Sequence, residues 1–343
     1  DFTVWGDLTY KMIFEPLGSF ITKTKAKASG NEILRIENNT TEVAAENPNY
    51  APQQPATPLE IIKNDWNKLA KLNRQDLRHA CLSQTHYENK PHIVFIQLES
   101  VPSWAVDQTT SIMPFLKKLK QENLSATHFF PNSCETINAE YSSLCGFSVD
   151  SSGPVPNQYG EGNFHCLTQI LRDDLSYQTN LYHANYSDFW SRDKLAPRWG
   201  FDNLRVSPEF EIRGSDMSVL DTLANDLKNA TEPTFNYFIS FTSHSPHVAS
   251  YLQKYNENNF DYQDIPLFTL NDLPLTLKNS IELTDHTTNY YLSLLKAVDQ
   301  SLEHFFNKLD EYGLRENTLV FIYGDHRYYN FKPANTLENF YNY

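Results

Sequence analysis

A metal ion needs oxygen or imidazole donors that converge from different parts of a chain, and two segments of this sequence end in such donors. Val320-Phe-Ile-Tyr-Gly-Asp-His326 is a run of apolar, strand-forming residues that passes through Gly324 and delivers Asp325 and His326 side by side. A carboxylate and an imidazole at the end of a buried strand suit a divalent ion. A lone Gly-Asp-His is equally what an ordinary polar turn looks like. His92-Ile-Val-Phe-Ile-Gln-Leu98 ends the same way, in Glu99, and two such strand ends predict a single metal site at one edge of a sheet.

Three further segments carry chemistry between those ends. In Asn132-Ser-Cys-Glu-Thr-Ile-Asn-Ala-Glu140, Thr136 stands where a loop gives way to a helical pattern. The N–H groups and positive dipole of a helix start stabilise an anion there. A threonine hydroxyl is a weak nucleophile until a metal or base lowers its pKa, and an N-capping threonine is the plain alternative. Phe189-Trp-Ser-Arg-Asp193 sets Arg192 beside Trp190. An arginine fork can grip a phosphate bidentately, and the indole can pack on an alkyl or glycerol group. A surface ion pair with an anchoring aromatic is the plain alternative for this pair. Thr242-Ser-His-Ser-Pro-His247 places His244 just past an apolar strand, where an imidazole can protonate a leaving oxygen or hold a phosphate oxygen.

The elements that must position these residues read as α/β. Strands are expected at 92–98, 177–182, 235–242 and 319–323, each short and nearly continuous in apolar residues, as buried parallel strands are. Helical spacing occurs over 112–122, 218–228 and 288–312. In the last of these Tyr291, Leu294, Leu295, Val298, Leu302, Phe305 and Leu309 form one stripe, which is core packing. The expected architecture is a mostly parallel central sheet sandwiched by helices. Ligands in such sheets gather at the carboxyl ends of the strands, where Glu99, His244, Asp325 and His326 all fall.

Ahead of that region, residues 1–24 read as a juxtamembrane helical segment, 25–58 as a polar, proline-punctuated linker, and 59–91 as a helical lead-in. The compact α/β region runs from 92 to 343. No stretch reaches the ~20 apolar residues of a membrane span, and Asp1 in place of a methionine reads as a chain cut or processed upstream. A formal charge of −14 argues against a nucleic-acid partner, since phosphate backbones need basic surface. With only 11 glycines, no Gly-rich nucleotide loop is found. The four cysteines, at 81, 134, 145 and 166, contain no CxxC pair, so zinc-finger spacing is absent. Two disulfides allow three pairings, among them a local Cys134–Cys145 staple, and four buried free thiols remain open as well.

Taken in order, Glu99, Thr136, the Phe189-Trp-Ser-Arg-Asp193 segment, His244 and Asp325-His326 resemble the catalytic domain of lipoteichoic acid synthases, within the alkaline phosphatase and sulfatase superfamily. The resemblance spans about His92 to His326, and the Phe-Trp-x-Arg-Asp match is its most specific part. It implies that Glu99, Thr136, Asp325 and His326 bind one divalent metal, commonly manganese, with magnesium or zinc as alternatives. It further implies that Arg192 and His244 clamp a glycerophosphate group and that Trp190 packs against it. A sulfatase would need a Cys/Ser-x-Pro-x-Arg motif, which is not found. The family fold continues beyond His326, so the region 92–343 reads as a sulfatase-like catalytic domain truncated at its C-terminus.

The function so implied is transfer of a phosphoglycerol group from phosphatidylglycerol to an acceptor hydroxyl through a phosphothreonine intermediate. The expected partners are the lipid donor, an envelope glycan or polymer acceptor, and the membrane surface. The catalytic domain is expected on the periplasmic or extracellular side of the cell membrane. The Glu-Thr-Ile-Asn-Ala-Glu run departs from the hydroxyl-rich sequence of the synthases, and the nearby cysteines resemble those of phosphoethanolamine transferases. A phosphoethanolamine transferase acting on lipid A or a glycan, and a catalytically inactive relative that binds lipid headgroups, are the alternatives.

Overall fold

The chain divides into two units, Asp1–Glu88 and Asn89–Tyr343. The computed structural model describes residues 90–328 of the second unit, apart from 108, 110, 127–128, 130, 132–134, 148, 150–152, 161, 163, 212–213, 258–261, 263, 279–284 and 327. The expected segments 1–24 and 25–58 lie outside the described residues, as do residues 59–89 of the expected 59–91 lead-in, Cys81 and Cys134; Lys90 and Pro91, which end that lead-in, are not helical.

Five strands are present: β1 (His92–Leu98), β2 (Gln178–Tyr186), β3 (Asn203–Ser207), β4 (Thr234–Ile239) and β5 (Thr318–Gly324). They form one sheet in the order β3-β2-β4-β1-β5, and every pairing is parallel. The principal helices are α1 (Pro114–Glu122), α2 (Thr136–Cys145), α3 (Arg192–Trp199), α4 (Asp216–Asn229), α5 (Ala249–Glu257) and α6 (Asp285–Glu311). Among the described residues, none of the helices is long and apolar enough to cross a membrane.

Strand pleating divides the core into two chemically different layers. One face of the sheet presents Val94, Ile96, Leu98, Tyr182 and Phe238 to the buried stripes of α4 and α6, where Leu220, Leu223, Leu227, Leu295, Leu302, Phe305 and Leu309 pack. Each such side chain contributes ~1.5–3 kcal/mol on burial. The other face is aromatic. Phe95 meets Phe235 at 5.2 Å, Phe321 at 5.0 Å and Tyr323 at 6.4 Å between ring centroids. Helix α2 lies against this second face.

The expected strands are all found, with ends shifted by up to four residues: 177–182 extends to Tyr186 and 235–242 stops at Ile239. Strand β3 was not expected. Its sequence, Asn-Leu-Arg-Val-Ser, is short and polar because it is the sheet edge, half-exposed along most of its length. The 27 residues of α6 carry the expected stripe, and each of its seven members is buried.

Cys145, at the end of α2, is bonded to Cys166. This corrects the local Cys134–Cys145 staple: α2 ends at Cys145 and Gly146 turns the chain at φ 70°, its N–H returning to the Ser142 carbonyl. With the two cysteines 21 positions apart in the chain, removing the bond is expected to cost about 3 kcal/mol. Denaturant midpoints of the wild type against Cys166→Ser check this; equal midpoints contradict a stabilising role.

Candidate active site

The parallel register of β1 with β5 builds the site. Leu98 pairs with Gly324, so the next residues, Glu99 and Asp325-His326, emerge together at the same sheet edge. The Asp325 N–H donates to the Leu98 carbonyl at 3.0 Å and continues the ladder by one step. Gly324 is required by this closeness: a Cβ there would sit 2.6 Å from the Val101 carbonyl oxygen. The end of β4 fixes Glu99 from the other side. Its N–H donates to Ser240 Oγ at 2.8 Å, and its carbonyl accepts from Ser243 Oγ at 2.6 Å.

Glu99, Asp325 and His326 are buried, and one ligand atom from each lies within 4.8 Å of the others. His326 Nε2 is 3.4 Å from Glu99 Oε1 and 3.5 Å from Asp325 Oδ2. Burial pushes the Glu99 carboxyl up, but the charges of His326 and His244 and hydrogen bonds from Ser100 and Thr136 hold it below its ordinary value. Asp325 goes the other way. Burial and the Glu99 charge push it well above its ordinary value, against the N–H groups of Ser100 and His326. Two buried carboxylates side by side need a cation or a shared proton, and Asp325 Oδ2 has no hydrogen-bond partner. An orphaned buried carboxylate oxygen, a second carboxylate and an imidazole fit one divalent ion.

Thr136 joins the cluster. Its hydroxyl donates to Glu99 Oε2 at 3.0 Å, and its carbonyl accepts from the Gln97 side chain at 3.1 Å. It is the first residue of α2, with Glu135 as N-cap. All ten residues of α2 are buried, so its polar side chains must find partners within the protein. Ser143 Oγ pairs with Tyr237 Oη at 2.9 Å, Tyr237 donates to Gln97 Oε1 at 2.5 Å, and Tyr323 Oη lies 2.6 Å from Tyr237 Oη. This polar seam ties the underside of α2 to β1, β4 and β5.

His244 follows β4 and is half-buried. Its Nδ1 lies 2.6 Å from the Ser245 carbonyl, an acceptor only, so Nδ1 carries a proton and Nε2 is the ring nitrogen left to exchange a proton with a substrate. Arg192 is buried and does not stand alone: Nε and Nη2 both go to the Glu140 carboxylate, Nη2 at 2.5 Å from Oε1. Trp190 is half-buried, stacked edge-on against the exposed Phe189, and it and Ser191 hold left-handed backbone (φ 59° and 55°). For non-glycine residues this costs on the order of 1–3 kcal/mol each and is concentrated at functional sites.

Sequence reasoning missed several members. Ser100 is left-handed (φ 53°). Its hydroxyl donates to Glu99 Oε1 at 2.6 Å, and its N–H donates to Asp325 Oδ1 at 2.8 Å. Tyr291, seen only as core, donates to the Ser100 carbonyl at 2.5 Å. His183 lies opposite Ile239 on β2, on the same sheet face as Gln97. Burial, with the charges of Arg192 and His244, pushes it well below its ordinary value, so it is a neutral imidazole. Gln97 and Glu140 sit inside apolar or helical runs, and only an unexplained polar residue in a buried pattern signalled them.

Residues 91–338 match the family model described as Sulfatase. The chain belongs to the sulfatase family. Within it, the chain is 24% identical over 248 residues to the lipoteichoic acid synthase-like protein YvgJ of Bacillus subtilis (strain 168), covering 68% of this chain and 36% of that protein. This sulfatase-family chain thus spans about a third of the length of the curated relatives it matches. The lipoteichoic acid synthase LtaP of Listeria monocytogenes shares the fold with a TM-score of 0.54 at 22% identity, over 70% of this chain and 57% of that one. The Streptococcus pyogenes phosphoglycerol transferase GacH, solved with sn-glycerol-1-phosphate, shares it with a TM-score of 0.54 at 16% identity, over 79% and 69%.

Asp216, at the start of α4, anchors the loop that bears His244: its Oδ1 accepts the Phe241 N–H at 2.7 Å and the Thr242 N–H at 3.3 Å. Burial pushes this carboxyl up to about 7. The folded state therefore keeps a proton that the unfolded chain releases near the ordinary value of about 4. Its contribution to stability is present below that pH and is lost as pH rises toward about 7. Asp216→Asn is expected to flatten that slope and to gain on the order of 2–4 kcal/mol at pH 8. Denaturant midpoints from pH 4 to 8 check this; an unaltered slope contradicts a protonated Asp216.

Proposed function

We propose that the protein is a metal-dependent transferase that moves a phosphoglycerol group from phosphatidylglycerol to an acceptor hydroxyl by way of a phosphothreonine at Thr136. The observation that carries this reading is the Thr136 hydroxyl, buried at the first turn of α2 and hydrogen-bonded to Glu99 inside the carboxylate–imidazole cluster. A divalent ion held by Glu99, Asp325 and His326 would draw charge from the phosphoryl oxygens and lower the pKa of the threonine hydroxyl; manganese is the proposed ion.

In the first half-reaction Thr136 Oγ1 forms a bond to phosphorus, and its proton has an acceptor in Glu99 Oε2. The bond from phosphorus to the diacylglycerol oxygen breaks, and that oxygen takes a proton from the protonated Nε2 of His244. In the second, an acceptor hydroxyl passes its proton to His244 Nε2 and attacks the same phosphorus; the bond from phosphorus to Thr136 Oγ1 breaks, and that oxygen takes back the proton held by Glu99 Oε2. Asp216 holds the His244 loop in place throughout. Trp190 packs on the glycerol, and Arg192 contributes positive charge near the transferring group.

The lipid donor sets this reading apart from sulfate ester cleavage, for which a Cys/Ser-x-Pro-x-Arg sequence would be needed around residue 136. The Cys145–Cys166 disulfide supports a periplasmic or extracellular catalytic domain at the cell membrane, since disulfides persist in oxidising compartments. The acceptor would be an envelope glycan or polymer.

Incubation with manganese and an equal mixture of phosphatidylglycerol and phosphatidylethanolamine, followed by peptide mass spectrometry, tests the reading. The expected product is a glycerophosphoryl group on Thr136, absent in Thr136→Ala. A phosphoethanolamine adduct there would replace the donor, and no adduct would refute the transfer mechanism.

A further inference from the structure

The Glu140–Arg192 ion pair is fully buried, with side chains 0% and 1% exposed. Its energetics do not explain its presence. Removing both charges from water offsets most of their attraction, and an apolar pair of similar volume would stabilise the core as well. Its placement offers a reason. Glu140 lies four residues, one helical turn, after Thr136 on α2, so both side chains lie on one face of the same helix. Arg192 opens α3 directly after the left-handed pair Trp190-Ser191. The pair therefore joins the helix that carries the proposed nucleophile to the turn that carries the proposed glycerol contact.

The bonding pattern also selects an edge of the guanidinium. Nε donates to Glu140 Oε2 at 3.0 Å and to Oε1 at 3.2 Å, and Nη2 donates to Oε1 at 2.5 Å. The remaining donors are on the Nη1–Nη2 tip, where Nη1 makes one long bond to the Phe189 carbonyl at 3.3 Å. Two N–H groups from the two terminal nitrogens form a fork that matches a pair of phosphate oxygens. The positive charge of Arg192 acts on His183, which also feels His244, and His244 acts in turn on Glu99.

We propose that Glu140 is a positioning residue for phosphoryl transfer, holding the side edge of Arg192 so that only its terminal fork addresses the transferring group. This rests on the phosphothreonine reading given above. A carboxylate in this role also neutralises Arg192 before substrate arrives, so the site trades affinity for a fixed orientation. Removing the carboxylate charge is then expected to separate binding from chemistry. Glu140→Gln leaves a freed cation that holds an anionic phosphate as well or better, but in the wrong orientation for transfer.

The test follows the rate of glycerophosphoryl-Thr136 formation against phosphatidylglycerol concentration, with thermal unfolding of each variant measured alongside. In Glu140→Gln the saturated rate is expected to fall at least tenfold, while the half-saturating donor concentration stays equal or decreases. Glu140→Asp keeps the charge and guards against a Gln variant that does not fold; it is expected to retain an intermediate rate. A wild-type rate in Glu140→Gln overturns the proposal and leaves the phosphothreonine reading intact. Losses in both variants that track only the folded fraction overturn it too, because they mark a structural role. No adduct in the wild type overturns both.

Discussion

The pairing of Leu98 with Gly324 is the constraint on which the site depends. Parallel strands put equivalent ends at the same edge, so residues far apart in the chain arrive side by side only if their register is right. A slip of one residue would turn Gln97 toward the aliphatic layer and place Glu99 a residue away from Asp325. The aromatic face guards the register, since Phe95 is seated among Phe235, Phe321 and Tyr323. Gly324 permits it, because the Val101 carbonyl leaves no space for a side chain there.

Helix α2 depends on that frame in turn. Its buried polar residues find partners on the surrounding elements: Gln97 of β1 for the Thr136 carbonyl, Tyr237 of β4 for Ser143, and Arg192 at the start of α3 for Glu140. Buried polar networks rigidify when every member is satisfied. The nucleophile candidate therefore sits on a helix fixed from below, while the loop that bears His244 is fixed by Asp216. The strain at Ser100 and at Trp190-Ser191 is confined to the rim of this frame, where rigid strand and helix ends can offset it.

Much of this was legible in the sequence, for physical reasons. Continuous apolar runs ending in Glu99 and in Asp325-His326 signal parallel strands that are buried on both faces, and the chemistry sits where such strands must end. The stripe of α6 was equally plain, because seven apolar residues at helical spacing have only one use. The sequence was silent where pairing is made in three dimensions. Ser100 is an unremarked serine until its left-handed backbone brings the hydroxyl onto Glu99. Arg192 reads as a free phosphate grip until Glu140 is seen to occupy one of its edges. Cys145 has a nearer partner in the chain than Cys166, but the ten-residue helix α2 fills nearly all of that shorter interval. Strand β3 went unseen because an edge strand does not carry the apolar run of a central one.

The central claim is that Glu99, Asp325 and His326 form one metal site with the Thr136 hydroxyl beside it. An anomalous-difference map from a manganese-soaked crystal addresses it most directly. A single strong peak is expected, bounded by Glu99, Asp325 and His326 and within reach of Thr136 Oγ1, and it is expected to be lost in Asp325→Asn. A map with no peak in that cluster, or a peak that survives Asp325→Asn, would contradict it.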